Sequence, residues 1–136
     1  MKKELILCSD IFAGFIYYLL INDHKVFGSR NDVHKIIFDL RKEKEFNLLE
    51  RFQFSTKGIC PVSDEVENSL FSLLLTGIIS YKNPYYHELE IIENSRDVIE
   101  EKIIKKFNEE QKKELQEIAK EYGKKCGETN AAVIEF

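Results

Sequence analysis

The sequence contains no tryptophan, only two prolines and only three cysteines in 136 residues. Cys8, Cys60 and Cys126 are far apart and form no C-x-x-C pair, which excludes a disulfide framework and indicates reduced intracellular thiols. There is no internal repeat, low-complexity tract or domain linker. Because the length is that of one ordinary domain, we expect a single domain over residues 1–136.

No hydrophobic run is long enough to cross a bilayer. The longest, Ile11–Ile21, spans eleven residues, whereas a transmembrane helix needs about 20. The residues after it offer no small-residue cleavage site of the kind that follows a signal peptide. We therefore interpret the run as a buried helix near the N-terminus, expect no membrane partner, and expect a cytoplasmic protein.

Motifs for phosphate binding, metal binding and catalysis are also lacking. Neither G-x-G-x-x-G nor G-x₄-G-K-[ST] occurs. His24, His34 and His87 lie in separate segments without the spacing of metal ligands, so we expect partly exposed or cap-adjacent histidines. Cys60 precedes a predicted helix, whose dipole favours a thiolate, but no histidine follows nearby to act as a base, and we interpret it as a small buried residue. We expect no catalytic residue, metal or cofactor.

The apolar pattern that is present predicts a mainly helical chain. After the helix in Ile11–Ile21, Asn31 or Asp32 is expected to cap a second helix. Its inward stripe has the spacing i, i+3, i+4 and i+7 and consists of Val33, Ile36, Ile37 and Leu40. Residues 46–60 either continue helically at Leu48, Leu49 and Phe52 or form a short strand in RFQFST.

A third helix is bounded more clearly than the others. Ser63 is a good N-cap, and Gly77 suits the left-handed position at a helix end. The predicted inward residues are Val66, Leu70, Leu73 and Leu74, with Phe71 and Leu75 widening that face.

A β-hairpin and two further helices complete the prediction. IISY and YHELEII form the hairpin, because Leu89 and Ile91 alternate with Glu88 and Glu90. A fourth helix follows Asn94 or Ser95. Asn108 and Gln111 predict a capping box for the last helix, which we expect to end at Gly123. The apolar side chains of the tail, Val133, Ile134 and Phe136, are expected to dock on the body. The fold class is therefore mainly α with a small β-hairpin: a winged-helix-like core in the order α-α-β-α-β-β, followed by two C-terminal helices.

Two stretches of this pattern resemble a known family. HKIIFDL is similar to the LQKLLYF-type helix of the SocA-like (Panacea) antitoxin domain and its YwgA-like relatives, with Lys35 at the matching lysine. FQFSTKGICPVSDEVENSLFSLLLTGIIS resembles the glycine–proline–cap segment, helix and hairpin entry of that family. The matching positions there are Gly58, Pro61, Ser63, Val66, Gly77 and Ile79. Ile59-Cys60 stands between the glycine and the proline, where the family has none, and no tyrosine precedes the glycine. The resemblance covers about the middle half of the chain. It implies a winged-helix-like intracellular regulator or antitoxin-type protein, without catalytic residues.

The distribution of charge argues against DNA reading by the third helix. The chain has a net charge of −4 and a pI of about 5.5. Residues 61–95 contain one basic residue, Lys82, against six acidic ones, a local net charge of −5. A recognition helix in the major groove needs basic or amide side chains on its exposed face, and carboxylates repel phosphate.

Two functional hypotheses follow from these charges. In the first, the chain is a non-enzymatic regulatory or antitoxin-like protein that binds a protein partner, with homodimerisation left open. Its expected partner-binding acidic face is Asp64, Glu65, Glu67, Glu88 and Glu90. In the alternative, a winged-helix transcriptional regulator contacts DNA through the second helix or as a dimer, but not through the helix over residues 63–77. The expected contacts in that case are Lys35, Arg41, Lys42 and Lys44.

Overall fold

The computed structural model describes residues 5–58, 60–83 and 88–134, which form five α-helices and three strands. In chain order these are α1 (Cys8–Ile21), β1 (Val26–Ser29), α2 (Arg30–Glu43), α3 (Asp64–Thr76), β2 (Ile79–Asn83), β3 (Glu88–Ile91), α4 (Arg96–Lys102) and α5 (Glu109–Ile134). Short 3-10 turns occupy Asn47–Arg51, Glu93–Ser95 and Ile104–Lys106. The prediction of a mainly helical protein with a small β-hairpin is confirmed.

Helix α1 lies in the middle of the helical layer, as its apolar sequence predicts. Its residues are buried from Asp10 to Tyr17, and the helix packs against α3, α4 and α5. The approach to α5 is close, because a Cβ added at Gly14 would lie 2.8 Å from the Cδ1 atom of Leu115. Glycine at this position therefore allows the two helices to approach.

The three strands form one antiparallel sheet in the order β1-β3-β2. β3 is the central strand; it turns Leu89 and Ile91 into the core and Glu88 and Glu90 toward the outer face. The connection between β2 and β3, residues 84–87, lies outside the described residues.

The predicted order of the elements is wrong at the first strand. That strand was expected between the second and third helices, in RFQFST, but β1 lies between α1 and α2. Residues 47–51 form a 3-10 turn instead, and the later part of the segment contributes only a single antiparallel bridge between Ser55 and Val62. The physical reason is that β1 is stabilised by its ladder to β3, about 60 residues away, whereas RFQFST has no neighbouring strand to pair with for more than one residue.

Two helix ends also differ from the prediction. Helix α2 begins two or three residues earlier because Ser29 is its N-cap: the Ser29 hydroxyl accepts from the Asp32 N–H, and the Asp32 carboxylate accepts from the Ser29 N–H, both at 3.1 Å. Helix α5 passes through Gly123 without ending there. The side chains of Val133 and Ile134, and Phe136 altogether, lie outside the described residues. The predicted capping box of α5 is confirmed. The Gln111 N–H donates to Oδ1 of Asn108 at 2.8 Å, and the Asn108 N–H donates to Oε1 of Gln111 at 2.9 Å.

Aromatic rings fill the centre of the core. Phe12, Phe15, Phe27, Phe52 and Tyr122 are fully buried, and their rings contact one another with centroids 5.0–6.2 Å apart. The Tyr122 hydroxyl donates to the carbonyl oxygen of Phe27 at 2.8 Å, which satisfies the one polar atom of that side chain. This bond joins α5 to β1.

Among the described residues, no helix combines the length and the apolar composition needed to cross a membrane. The 26-residue helix α5 is long enough but polar along much of its surface.

Candidate functional site

Helix α3 begins and ends where the sequence predicts. The hydroxyl of Ser63 accepts from the Val66 N–H at 3.2 Å, and Gly77 ends the helix with a φ of +78°. Glycine adopts that left-handed conformation without the steric cost that a side chain would impose. The helix then passes directly into β2.

The face that α3 turns outward differs from the prediction. Val66, Ser69, Leu70 and Leu73 are buried, with the spacing i, i+3, i+4 and i+7 of a single helical face. Phe71 and Leu75, which were expected to widen this inward face, lie on the other side, with 61% and 72% of their surface exposed. Packing on α1 selects the narrower stripe, and the two large apolar residues are left in solvent.

These two residues belong to a continuous stripe along the helix. Asp64, Asn68, Phe71 and Leu75 are all exposed and fall at i, i+4, i+7 and i+11. We call these four residues the α3 outer face. It contains one carboxylate, one amide and two large apolar side chains, and it contains no basic residue.

A partly buried ion-pair cluster fixes α3 against α2. The Glu67 carboxylate accepts from the guanidinium of Arg30 and from Nε2 of His34, the latter at 2.6 Å. Nδ1 of His34 accepts from the Ser63 N–H at 3.1 Å. Because a backbone N–H can only donate, Nδ1 is the unprotonated ring nitrogen and Nε2 holds the hydrogen. Arg30 also donates to the Tyr81 hydroxyl at 2.9 Å, so the cluster extends to β2.

The electrostatics of this cluster favour an ionised glutamate. Burial on its own would raise the pKa of Glu67, but hydrogen bonds from Arg30 and His34 and the positive charge of Arg30 lower it below the ordinary value. The cluster therefore holds the N-terminal half of α3 in a fixed position. That position presents the α3 outer face to solvent.

Serine, histidine and glutamate meet here, but they do not form a catalytic triad. His34 contacts the amide of Ser63 and not its hydroxyl. The hydroxyl caps the helix at Val66 and also lies 3.3 Å from a carboxylate oxygen of Glu65. Ser63 is fully buried. His34 is therefore not paired with the hydroxyl, and no surface of Ser63 is open to a substrate, so the arrangement differs from that of a Ser-His-acid triad.

The five predicted acidic residues do not have equivalent surroundings. Glu67 is in the ion-pair cluster, and Glu65 accepts from the Gln53 N–H at 2.7 Å. Glu88 and Glu90 project from the outer face of the sheet, on the side opposite Leu89 and Ile91. On α3, Asp64 is exposed and makes no ion pair with any residue that the structure describes. The residues thus divide between α3 and the sheet.

The predicted basic residues lie on and after α2. Lys35, Arg41, Lys42 and Lys44 are all exposed, and Lys35 and Lys42 share a face because they are two turns apart. Three carboxylates, Asp39, Glu43 and Glu45, are interleaved with these four cations, so the stretch from 35 to 45 has a net of one positive charge. Oε2 of Glu43 is 3.2 Å from Nζ of Lys125 on α5, so the two side chains form an ion pair.

The remaining candidate ligands and nucleophiles stay separate. Cys60 is exposed, which contradicts its prediction as a buried residue, because the loop before α3 leaves its side chain in solvent. His34 is buried and cap-adjacent, His24 is half-buried with an Nε2 atom that has no partner in the described part of the chain, and His87 lies outside that part. No group of three histidine, cysteine or carboxylate side chains among the described residues is placed to share a metal ion.

The sequence predicts the two ends of α3 but not the ion-pair cluster that positions it. The ion-pair cluster joins residues 33 positions apart, a separation at which no local spacing gives a signal. Asp64, Asn68, Phe71 and Leu75 also repeat at helical spacing, but apolar residues cover more than half of the circumference of α3, so the sequence alone does not decide which side is exposed.

The chain matches no protein-family model, no curated protein and no solved structure.

Proposed function

We propose that this chain is a small intracellular regulatory protein without enzymatic activity, and that it binds another protein through the α3 outer face. The observation on which this proposal rests is the exposure of Phe71 and Leu75, one turn apart, on the helix that precedes the hairpin. A few side chains near the centre of an interface, fully removed from water, contribute most of its binding energy. Burying each large apolar side chain contributes roughly 1.5–3 kcal/mol.

The chemistry of this face favours a protein over a nucleic acid. DNA readers place arginine, lysine, asparagine or glutamine against base edges and phosphates. Here the helix supplies one asparagine, while its first turn contains Asp64, Glu65 and Glu67. An apolar centre beside exposed Asp64 suits a partner that offers an apolar surface with a basic residue at its edge.

An antitoxin-like role is the specific form of regulation that we propose. It is supported by the resemblance of HKIIFDL and of the segment from Phe52 to Ser80 to the SocA-like antitoxin domain. A protein of this kind would act by covering a surface of its target. That mode of action needs a fixed binding face and no catalytic group. The ion-pair cluster supports the first requirement, because it holds α3 in a fixed position. We place this activity in the cytoplasm.

The binding face can be tested by comparative affinity capture from the native host. Phe71→Ser with Leu75→Ser removes the apolar centre, and Ile21→Ser is a matched control, because Ile21 is also exposed at 44% but lies at the end of α1. We expect a protein that is recovered by the wild type and by Ile21→Ser and lost by the double variant. Equal recovery by all three proteins would exclude the α3 outer face.

DNA binding through α2 is the second candidate function. The four exposed cations of α2 and its C-terminal end favour it, and the three interleaved carboxylates weaken it. Non-specific binding to duplex DNA is strongest at low ionic strength, so a gel-shift series that begins at about 50 mM salt tests it. A salt-dependent shift that Lys35→Gln with Lys42→Gln reduces would support this function. No shift at the lowest salt would exclude it.

A further inference from the structure

A groove of about 570 Å³ opens between the start of α1, the C-terminal half of α3 and the segment from 92 to 106. Its volume lies within the range of roughly 300–1,000 Å³ that is usual for small-molecule sites. The walls are mainly apolar, and the side chains that form them are Ala13, Leu73, Ile78, Ile92, Val98 and Ile103. Ala13, Leu73 and Ile78 are buried, so the base of the groove belongs to the hydrophobic core.

Three charged side chains line this groove: Asp10, Lys102 and Lys106. Nζ of Lys106 is 3.1 Å from Oδ2 of Asp10, and the same carboxylate oxygen accepts from the Leu7 N–H at 2.9 Å. Asp10 and Lys106 therefore neutralise each other. Lys102, the last residue of α4, also lines the groove; it is exposed and makes no ion pair with any described residue.

Two of the hydroxyl groups that line the groove are already bonded within the fold. The Thr76 hydroxyl donates to the Ser72 carbonyl at 3.0 Å, and the Ser95 hydroxyl donates to the Ile92 carbonyl at 2.6 Å. Lys102 is therefore the lining cation that has no counter-ion among the described residues. The groove combines an apolar base with one net positive charge at its mouth.

We propose that this groove binds a small amphiphilic monoanion, a carboxylate with an unbranched apolar chain. The chain packs against the apolar walls and displaces water from them, and the carboxylate lies at the mouth beside Lys102. This inference does not depend on the proposed protein partner, because the site uses the groove side of α3 and not the α3 outer face.

Decanoate and 1-decanol are the probes, since they share an apolar chain and differ in charge. Both are titrated by isothermal calorimetry below their aggregation concentrations. We expect one site, with decanoate bound roughly two- to fivefold more tightly than decanol, which is the contribution of one solvent-exposed ion pair. Lys102→Gln removes that preference and leaves decanol binding unchanged. Thr76→Phe narrows the mouth and weakens both ligands.

Lys105→Gln is the matched control, because Lys105 is an exposed lysine of the neighbouring 3-10 turn that does not line the groove. It keeps the preference for decanoate. The proposal is overturned by a lack of saturable binding, by equal affinities for the two probes, or by equal effects of Lys102→Gln and Lys105→Gln. Unchanged binding in Thr76→Phe also overturns it, since the probes would then occupy another surface.

Discussion

Replacing Glu67 with glutamine tests the ion-pair cluster that positions α3. Glutamine keeps the size of the side chain and an oxygen that accepts from His34, but it removes the negative charge. The Arg30–Glu67 pair is partly exposed, at 39% and 36% of the two side chains, so we assign it about 0.2–1 kcal/mol. The bond from buried His34 to a carboxylate is charge-assisted, and replacing it with a neutral bond costs roughly 1 kcal/mol. We expect a loss of about 1–2 kcal/mol in the free energy of unfolding near pH 7.

The pH dependence of this loss follows from the pKa of Glu67. Because the folded state lowers that pKa, the ionised carboxylate stabilises the fold fully above the unfolded value of 4.5. The stabilisation disappears as the pH falls through the lowered pKa of the folded protein. The difference between wild type and Glu67→Gln should therefore be constant above about pH 5.5 and shrink below pH 4.5.

Urea unfolding followed by circular dichroism measures this difference at each pH. Glu101→Gln is the control, since Glu101 is exposed on α4 and makes no ion pair among the described residues; we expect a change within about 0.5 kcal/mol. Glu67→Ala should cost more than Glu67→Gln because it also leaves the Nε2 hydrogen of His34 buried without an acceptor. If both Glu67 variants unfold like the control, or if the glutamine difference persists at low pH, the cluster does not hold α3.

Two further outcomes test the ends of α3 and the environment of the thiols. Gly77→Ala should lower the free energy of unfolding by about 1 kcal/mol. The φ of Gly77 is +78° and no atom lies within 4 Å of the added Cβ, so backbone strain is the main cost. An unchanged midpoint in thermal unfolding would contradict this prediction. With a thiol reagent in native buffer, exposed Cys60 should react first. Half-buried Cys8, with a pKa raised mainly by burial, should react more slowly. Cys126 is buried, its thiol lies 3.6 Å from the Phe27 carbonyl oxygen, and burial raises its pKa to about 12, so it should react only after unfolding. Rapid labelling of Cys126 in the native protein would refute this burial.

Local chemistry explains the parts of the fold that the sequence predicted correctly. The Ser63 cap, the Gly77 stop and the Asn108–Gln111 box each depend on residues within one helical turn. The burial of α1 follows similarly from its composition, because a helix that is apolar on most sides has no face suited to water. Such features can be predicted without knowing what lies elsewhere in the chain.

The misplaced strand shows where local chemistry is insufficient. β1 has four residues, one of which is Gly28 with a φ of +97°, and its register with β3 shifts between Val26 and Gly28. A short, bulged strand has no alternating pattern to recognise. Its pairing with a strand about 60 residues later is a tertiary interaction.

The orientation of α3 was predicted incorrectly for a related reason. Val66, Leu70, Phe71, Leu73, Leu74 and Leu75 cover more than half of its circumference. Composition alone does not decide which part of that surface is buried. Contact with α1 and the cluster at Glu67 decide it, and both depend on residues distant in sequence. The candidate binding face therefore became visible only in the folded chain.

Photo-cross-linking from position 71 tests the proposed function most directly. Benzoylphenylalanine is placed at Phe71, and in a second protein at Lys35, so that the same group reports on the α3 outer face and on α2 in living host cells. We predict a specific protein adduct from position 71 that Leu75→Ser reduces, and no adduct of comparable yield from position 35. An adduct confined to position 35, with either protein or DNA, would contradict a partner-binding role for α3.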